Sequence, residues 1–132
     1  VSEARVIIWG DVDETAPHLT LGEAGESAAL AHYAGSGYRL VARNWRIGIG
    51  EVDLILARGG TLVFCEVKAR RGSRFGGPYE AVTWRKQQKL RRLAEAFLAT
   101  SPMNELDVRF DVASVSVGPD GRVSVHLFEH AF

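Results

Sequence analysis

Between Glu51 and Lys68 apolar and polar residues alternate with a period of two, and the alternation is interrupted once, by Gly59-Gly60. Successive side chains of a β-strand point to opposite faces, and two period-two runs joined by a Gly-Gly pair predict a hairpin. Val52, Leu54, Leu56, Val63, Cys65 and Val67 fall on one face of it and predict a core contact. Ile55 and Phe64 make the other face apolar near the turn, so both faces are expected to be covered.

The rest of the chain supplies partners for that hairpin. Thr20 followed by Glu23 has the form of a capping box and predicts a helix from about Gly22 to Ala34, stopped by Gly35 and Gly37. Tyr38 to Arg43 reads as a strand, followed by a turn or short extension from Asn44 to Gly48. Arg70 to Pro78, rich in glycine and arginine, reads as a mobile basic loop. Leu90, Leu93, Ala94, Phe97 and Leu98 share one helical face and predict a second helix over Glu80 to Ala99. Val108 to Val117 and Arg122 to Phe128 form a closing hairpin around Gly118-Pro119-Asp120-Gly121. The run Val6-Ile7-Ile8-Trp9 predicts a peripheral strand or a loose arm. Helices alternating with strands imply an α/β fold, a central mixed β-sheet flanked by helices.

At 132 residues the chain fits one domain. Its single cysteine, Cys65, allows no internal disulfide, and it faces the apolar side of its strand, as a small core hydrophobe does. No apolar run approaches a membrane span, and Arg5 to Trp9 is too short for a signal-peptide core, so no membrane partner and a cytoplasmic location are expected.

The formal net charge is zero, but its distribution is uneven. Before Gly35 six acids face one strong base, Arg5, whereas from Lys68 to Arg92 nine bases face one acid, Glu80. A neutral protein arranged this way can still present a positive field to a polyanion. Arg70, Arg71, Arg74, Arg85, Lys86, Lys89 and Arg92 are the candidate phosphate contacts, and Trp45, Phe75 and Trp84 are aromatic residues suited either to base stacking or to the core.

The candidate chemistry lies in the hairpin. With Gly59-Gly60 as a two-residue turn, Asp53 opposes Glu66 and Glu51 opposes Lys68. Directly opposed side chains have Cβ atoms roughly 4.5 to 5.5 Å apart, and two carboxylates at about 5 Å repel by roughly 3 kcal/mol at an effective dielectric near 20. A shared divalent cation reverses that sign, and all-oxygen ligation selects Mg2+ or Mn2+. Solvated acids and a plain Glu51 to Lys68 salt bridge are the alternative. Glu26 falls on the apolar stripe of the first helix with Leu30 and Tyr33, where an acid is out of place unless it serves as a ligand or answers the helix dipole. Arg109 and Asp111 share a strand face, which predicts a structural ion pair.

At Gly22-Glu23-Ala24-Gly25-Glu26, Gly37-Tyr38, Arg43-Asn44-Trp45-Arg46, Gly50-Glu51-Val52-Asp53-Leu54-Ile55, Phe64-Cys65-Glu66-Val67-Lys68, Phe75-Gly76 and Arg109-Phe110-Asp111-Val112 the chain resembles the YraN-like family of uncharacterised bacterial proteins. That family's fold is similar to restriction endonucleases and Holliday-junction resolvases. The resemblance spans residues 21–132 as one nuclease-like domain and leaves 1–20 outside it as an N-terminal arm. It implies that Asp53 and Glu66 are metal ligands with the Val67 carbonyl a further one, that Lys68 orients or activates the attacking water, and that Glu26 matches the helical acid of the resolvase-like nucleases. The activity it implies is metal-dependent endonuclease cleavage of DNA at branched or damaged structures, with RNA left open as a substrate and a homodimer as the assembly. A non-catalytic nucleic-acid-binding or adaptor module that retains the fold is the alternative.

Overall fold

The computed structural model describes residues 2–7, 19–72 and 82–132. In chain order its elements are β1 (Ser2–Ile7), α1 (Leu21–Gly35), β2 (Arg39–Ile47), β3 (Gly50–Arg58), β4 (Thr61–Arg71), α2 (Trp84–Ala99), β5 (Asp107–Val117) and β6 (Arg122–Phe128). The strands form one sheet in the order β1-β6-β5-β4-β3-β2. All pairings are antiparallel except β4 with β5, which run parallel from Thr61 opposite Asp107 to Arg71 opposite Val117. Parallel neighbours need a crossover, and α2 lies on it. The result is the mixed sheet flanked by helices that the sequence predicts, in the restriction-endonuclease-like architecture.

Local signals account for most element ends. Thr20 caps α1 by accepting the Glu23 N–H at 3.1 Å, and Gly37, at φ +85°, turns the chain out of the helix. Gly59, at φ +57°, makes the tight β3–β4 turn with Arg58 opposite Thr61, as the Gly-Gly pair predicts. Four boundaries differ from the sequence reading. α2 begins at Trp84, because Thr83 accepts the Lys86 N–H at 3.2 Å and caps it there, while Glu80 lies outside the described residues. The stretch from Asn44 continues β2 to Ile47, and the turn falls on Gly48 and Ile49, so β2 and β3 form a second hairpin. The N-terminal strand occupies Ser2–Ile7, ahead of the apolar run that suggested it, and Ile8 and Trp9 lie outside the described residues. Of the proposed basic loop, Arg70 and Arg71 instead end β4, and residues 73–81, with Arg74 and Phe75, are outside the described residues.

Each helix covers one face of the sheet. Ala28, Ala29 and Tyr33 of α1 pack with Leu54, Leu56, Val63, Cys65 and the inner residues of β5 and β6. Leu90, Leu93 and Ala94 of α2 pack with Val52, Ile55, Ala57, Leu62, Phe64 and Phe110 on the other face. Trp45 belongs to this second core, edge-on to Phe97 at 5.3 Å between ring centroids, whereas Trp84 is 72% exposed. Cys65 is fully buried, and burial pushes its thiol well above the ordinary range, which suits a core residue and not a nucleophile. Among the described residues no helix is long and apolar enough to cross a membrane.

Val52 and Leu54, expected on one face, sit in opposite cores although only Asp53 separates them. Regular pleating would keep them together, so the alternation of β3 breaks at Asp53. The β2 residue between the paired positions Arg43 and Trp45 is Asn44, whose φ of +52° marks the same irregularity on the neighbouring strand.

A buried polar group ties α1 to β5. Asp111, 0% exposed, accepts from the Tyr33 hydroxyl at 2.6 Å, from Arg109 at 2.9 Å and from the His130 N–H at 2.9 Å, and Arg109 also donates to the Tyr38 hydroxyl at 2.9 Å. The Arg109 and Asp111 ion pair is therefore structural, as the sequence suggests. Arg109→Met leaves a buried carboxylate without its cation and is expected to cost about 3–5 kcal/mol in urea denaturation.

α1 approaches β4 through Gly25, where an added Cβ would meet the Ala69 Cβ at 2.6 Å. Gly25→Ala gains about 0.5–1 kcal/mol in helix propensity but overpacks a closed interface at about 1–3 kcal/mol, so net destabilisation by chemical denaturation is expected.

Candidate active site

The break in β3 is where the acids gather. β3 and β4 stay paired from the turn to Leu54 opposite Cys65, and there the ladder ends. The next N–H on that side, the part-buried one of Val67, donates instead to Asp53 Oδ2 at 2.8 Å, so a side chain closes the gap where the strands part. Asp53 is held at the split between two strands, with carboxylate oxygens of Glu26 from α1 and Glu51 from the start of β3 beside it. One oxygen from each of the three lies within 4.8 Å of the others.

This differs from the pairing read off the hairpin register. Asp53 is not matched with Glu66 in the ladder, and Glu51 is not matched with Lys68; Glu51 faces Arg46 across the β2–β3 hairpin and forms an ion pair with it. Glu66 is outside the three-acid group. It is nearly buried and is approached from α2 by Lys86 Nζ at 2.5 Å and along its own strand by Lys68 Nζ at 3.7 Å. The physical reason is the irregularity at Asp53 and Asn44, which a count outward from an ideal two-residue turn cannot contain. Glu51 thus joins the site unexpectedly; the legible signal was the Gly48-containing stretch, which as a turn would have set Arg46 opposite Glu51. Lys86, counted above with the phosphate contacts, sits beside Glu66, while Arg85, Lys89 and Arg92 are exposed along α2.

The acids differ in their partners. Glu26 accepts from Arg43 Nε at 3.3 Å and from Asn44 Nδ2 at 3.1 Å, and Glu51 has Arg46. Among the described residues Asp53 has no ion-pair partner. Burial first, then the negative charge of Glu66, pushes its carboxyl from the ordinary range up to about 7; the Val67 N–H opposes this, and Glu26 and Glu51 add to it. Lys68 shifts the other way: the neighbouring Lys86 ammonium, then burial, holds it below the ordinary lysine range.

Such a group can do two things. Three carboxylate oxygens of this spacing form a hard-oxygen donor set suited to Mg2+ or Mn2+, and Asp53, strained by uncompensated negative charge, is the member that a cation relieves most. Lys68, with its ammonium disfavoured, can orient a water molecule or take a proton from it.

The raised carboxyl has a thermodynamic consequence. Asp53 titrates near 7 folded against an ordinary value of 3.8, so the folded protein holds the extra proton between about pH 4 and 7. In metal-free buffer stability is expected to fall as pH rises through that window and to level off above it. Asp53→Asn, which keeps an acceptor for Val67, should remove the decline and stabilise the protein at pH 8 by on the order of 2 kcal/mol, after a discount for residual solvent contact. Thermal melts across this pH range check it, and Mn2+ should raise the melting temperature of the wild type only.

Comparison with known proteins places this site in a family. Residues 25–115 match the profile described as "Uncharacterised protein family UPF0102", a span that contains Glu26, Glu51, Asp53, Glu66 and Lys68. A UPF0102 protein of Symbiobacterium thermophilum is 53% identical over 112 residues, covering 85% of this chain and 95% of its own. One from Frankia alni is 49% identical over 85% of this chain and 93% of its own, and one from Alkaliphilus metalliredigens 41% identical over 86% and 97%.

Proposed function

Because the chain belongs to UPF0102, the YraN-like group that its motifs resemble, and that family carries no assigned activity, we propose a function from the site itself. The reading is a Mg2+- or Mn2+-dependent phosphodiester hydrolase acting on DNA, at branched or damaged structures. One observation carries it: Glu26, Glu51 and Asp53, drawn from a helix and a broken strand, converge beside a lysine whose ammonium is disfavoured.

In this reading Glu26, Glu51 and Asp53 would hold the ion, and Glu66 and the Val67 carbonyl would be further oxygens available to it. When bound, the ion supplies charge neutralisation at the phosphate and lowers the pKa of an attacking water. Lys68 Nζ accepts the proton of that water as its oxygen bonds to phosphorus, and the bond from phosphorus to the leaving sugar oxygen breaks, that oxygen taking a proton from solvent. Lys86, fixed by Glu66, places positive charge against the charge that develops on the phosphate. Arg70 and Arg71 at the end of β4, and Arg85, Lys89 and Arg92 along α2, position the backbone by phosphate contacts.

A second reading, a nucleic-acid-binding or adaptor module without catalysis, draws support from the arginines already paired with Glu26 and Glu51, which can hold those acids in place with no ion. Its signature is salt-dependent binding indifferent to chelator.

Wild type and Asp53→Asn incubated with branched, single-stranded and duplex DNA plus Mn2+ separate the two. Cleavage by the wild type, reduced on the order of a hundredfold or more in the variant, is expected. No cleavage by either protein, or equal cleavage by both, overturns the hydrolase.

A further inference from the structure

The tip of the β2–β3 hairpin and the exposed side of α2 enclose an open groove of about 490 Å³, lined by hairpin residues 46–51 and by Lys89. Glu51 belongs both to this groove and to the three-acid group, so the groove leads to the acids. Its other charged residues are basic. Arg46 protrudes with its side chain 76% exposed, and it already answers the charge of Glu51, which leaves Lys89 in surplus. The lysine is built into the groove by the bare backbone at Gly50, where a Cβ would meet Lys89 Cε at 2.6 Å and Nζ at 3.2 Å. At the rim stands Ile49, an apolar side chain 48% exposed on a turn.

The chemistry that matches cations alternating with an exposed aliphatic surface is a chain of anions that also displays apolar flat groups. Duplex DNA offers the anions but keeps its base faces stacked; an unpaired strand offers both. We propose that this groove holds an unpaired strand of DNA on its way to the acids, with a phosphate against Lys89 and a base against Ile49. The inference rests on the phosphodiester reading above and specifies its substrate: a strand that is single beside the bond to be cut, as at a fork, flap or junction. Ile49 and Lys89 would then determine which DNA structures are accepted, without touching the reacting atoms.

Fluorescence anisotropy tests this in chelator, where no cleavage occurs and a failure of the hydrolase reading leaves the result intact. Labelled single-stranded, forked and fully duplex DNA of equal length are titrated with wild type, Ile49→Ala and Lys89→Ala. Both substitutions are at exposed positions, and circular dichroism verifies the fold. Each variant is expected to weaken single-strand and fork binding at least about fivefold and duplex binding less than about twofold. Absence of single-strand binding by the wild type, unchanged affinities in both variants, or an equal loss on all three DNAs overturns the proposal.

Discussion

The hydrogen bond from the Val67 N–H to Asp53 is the constraint from which the rest of the site follows. A backbone donor only partly open to solvent needs an acceptor, and beyond Leu54 and Cys65 the strand ladder no longer provides one. Asp53 takes the place of a carbonyl, and in doing so it is held at the point where β3 and β4 part. Val52 and Leu54 then fall into different cores and β3 changes the face it presents, and one carboxylate oxygen each of Glu26, Glu51 and Asp53 lies within 4.8 Å of the others.

Charge is balanced around that point in an orderly way. Glu26 has Arg43, Glu51 has Arg46, and Glu66 has Lys86 and Lys68, whereas Asp53 has only a backbone donor and carries the charge of its neighbours as a raised pKa. Repulsion is therefore concentrated on a single carboxylate. Two lysines converging on Glu66 create the complementary imbalance, in which the ammonium of Lys68 is disfavoured. A carboxylate with its pKa pushed up next to a lysine with its pKa pushed down is an arrangement that stability alone does not favour.

The helices hold this geometry from outside. α1 reaches β4 because Gly25 leaves room for Ala69, and the same close approach sets Glu26, the next residue, beside the strand break. Tyr33, two turns farther along α1, is locked to Asp111, so the helix is fixed to β5 as well as to β4. α2 contributes an apolar stripe to the opposite core and, from its capped first turn, the ammonium of Lys86. Each helix thus delivers one charged group to the site from its own side of the sheet.

Sequence alone determined the elements whose signals are local: the Thr20 cap, the Gly59-Gly60 turn, the apolar stripe of α2, the closing hairpin and the burial of Cys65 all follow from short-range preferences that the fold respects. It also singled out Glu26, Asp53 and Glu66, because an acid on an apolar stripe or in a covered strand is conspicuous in a linear reading, and the family resemblance added Lys68. Only the tertiary structure decided which of these meet. The partners of Asp53 depend on where the β3–β4 ladder ends and on the helix that packs beside it, which no local signal in the chain records. Counting residues outward from one turn gives the register as far as Leu54 opposite Cys65, but the ladder ends there; the folded chain gathers Glu26, Glu51 and Asp53, and Glu66 takes Lys86 as its ion-pair partner while its charge still bears on Asp53.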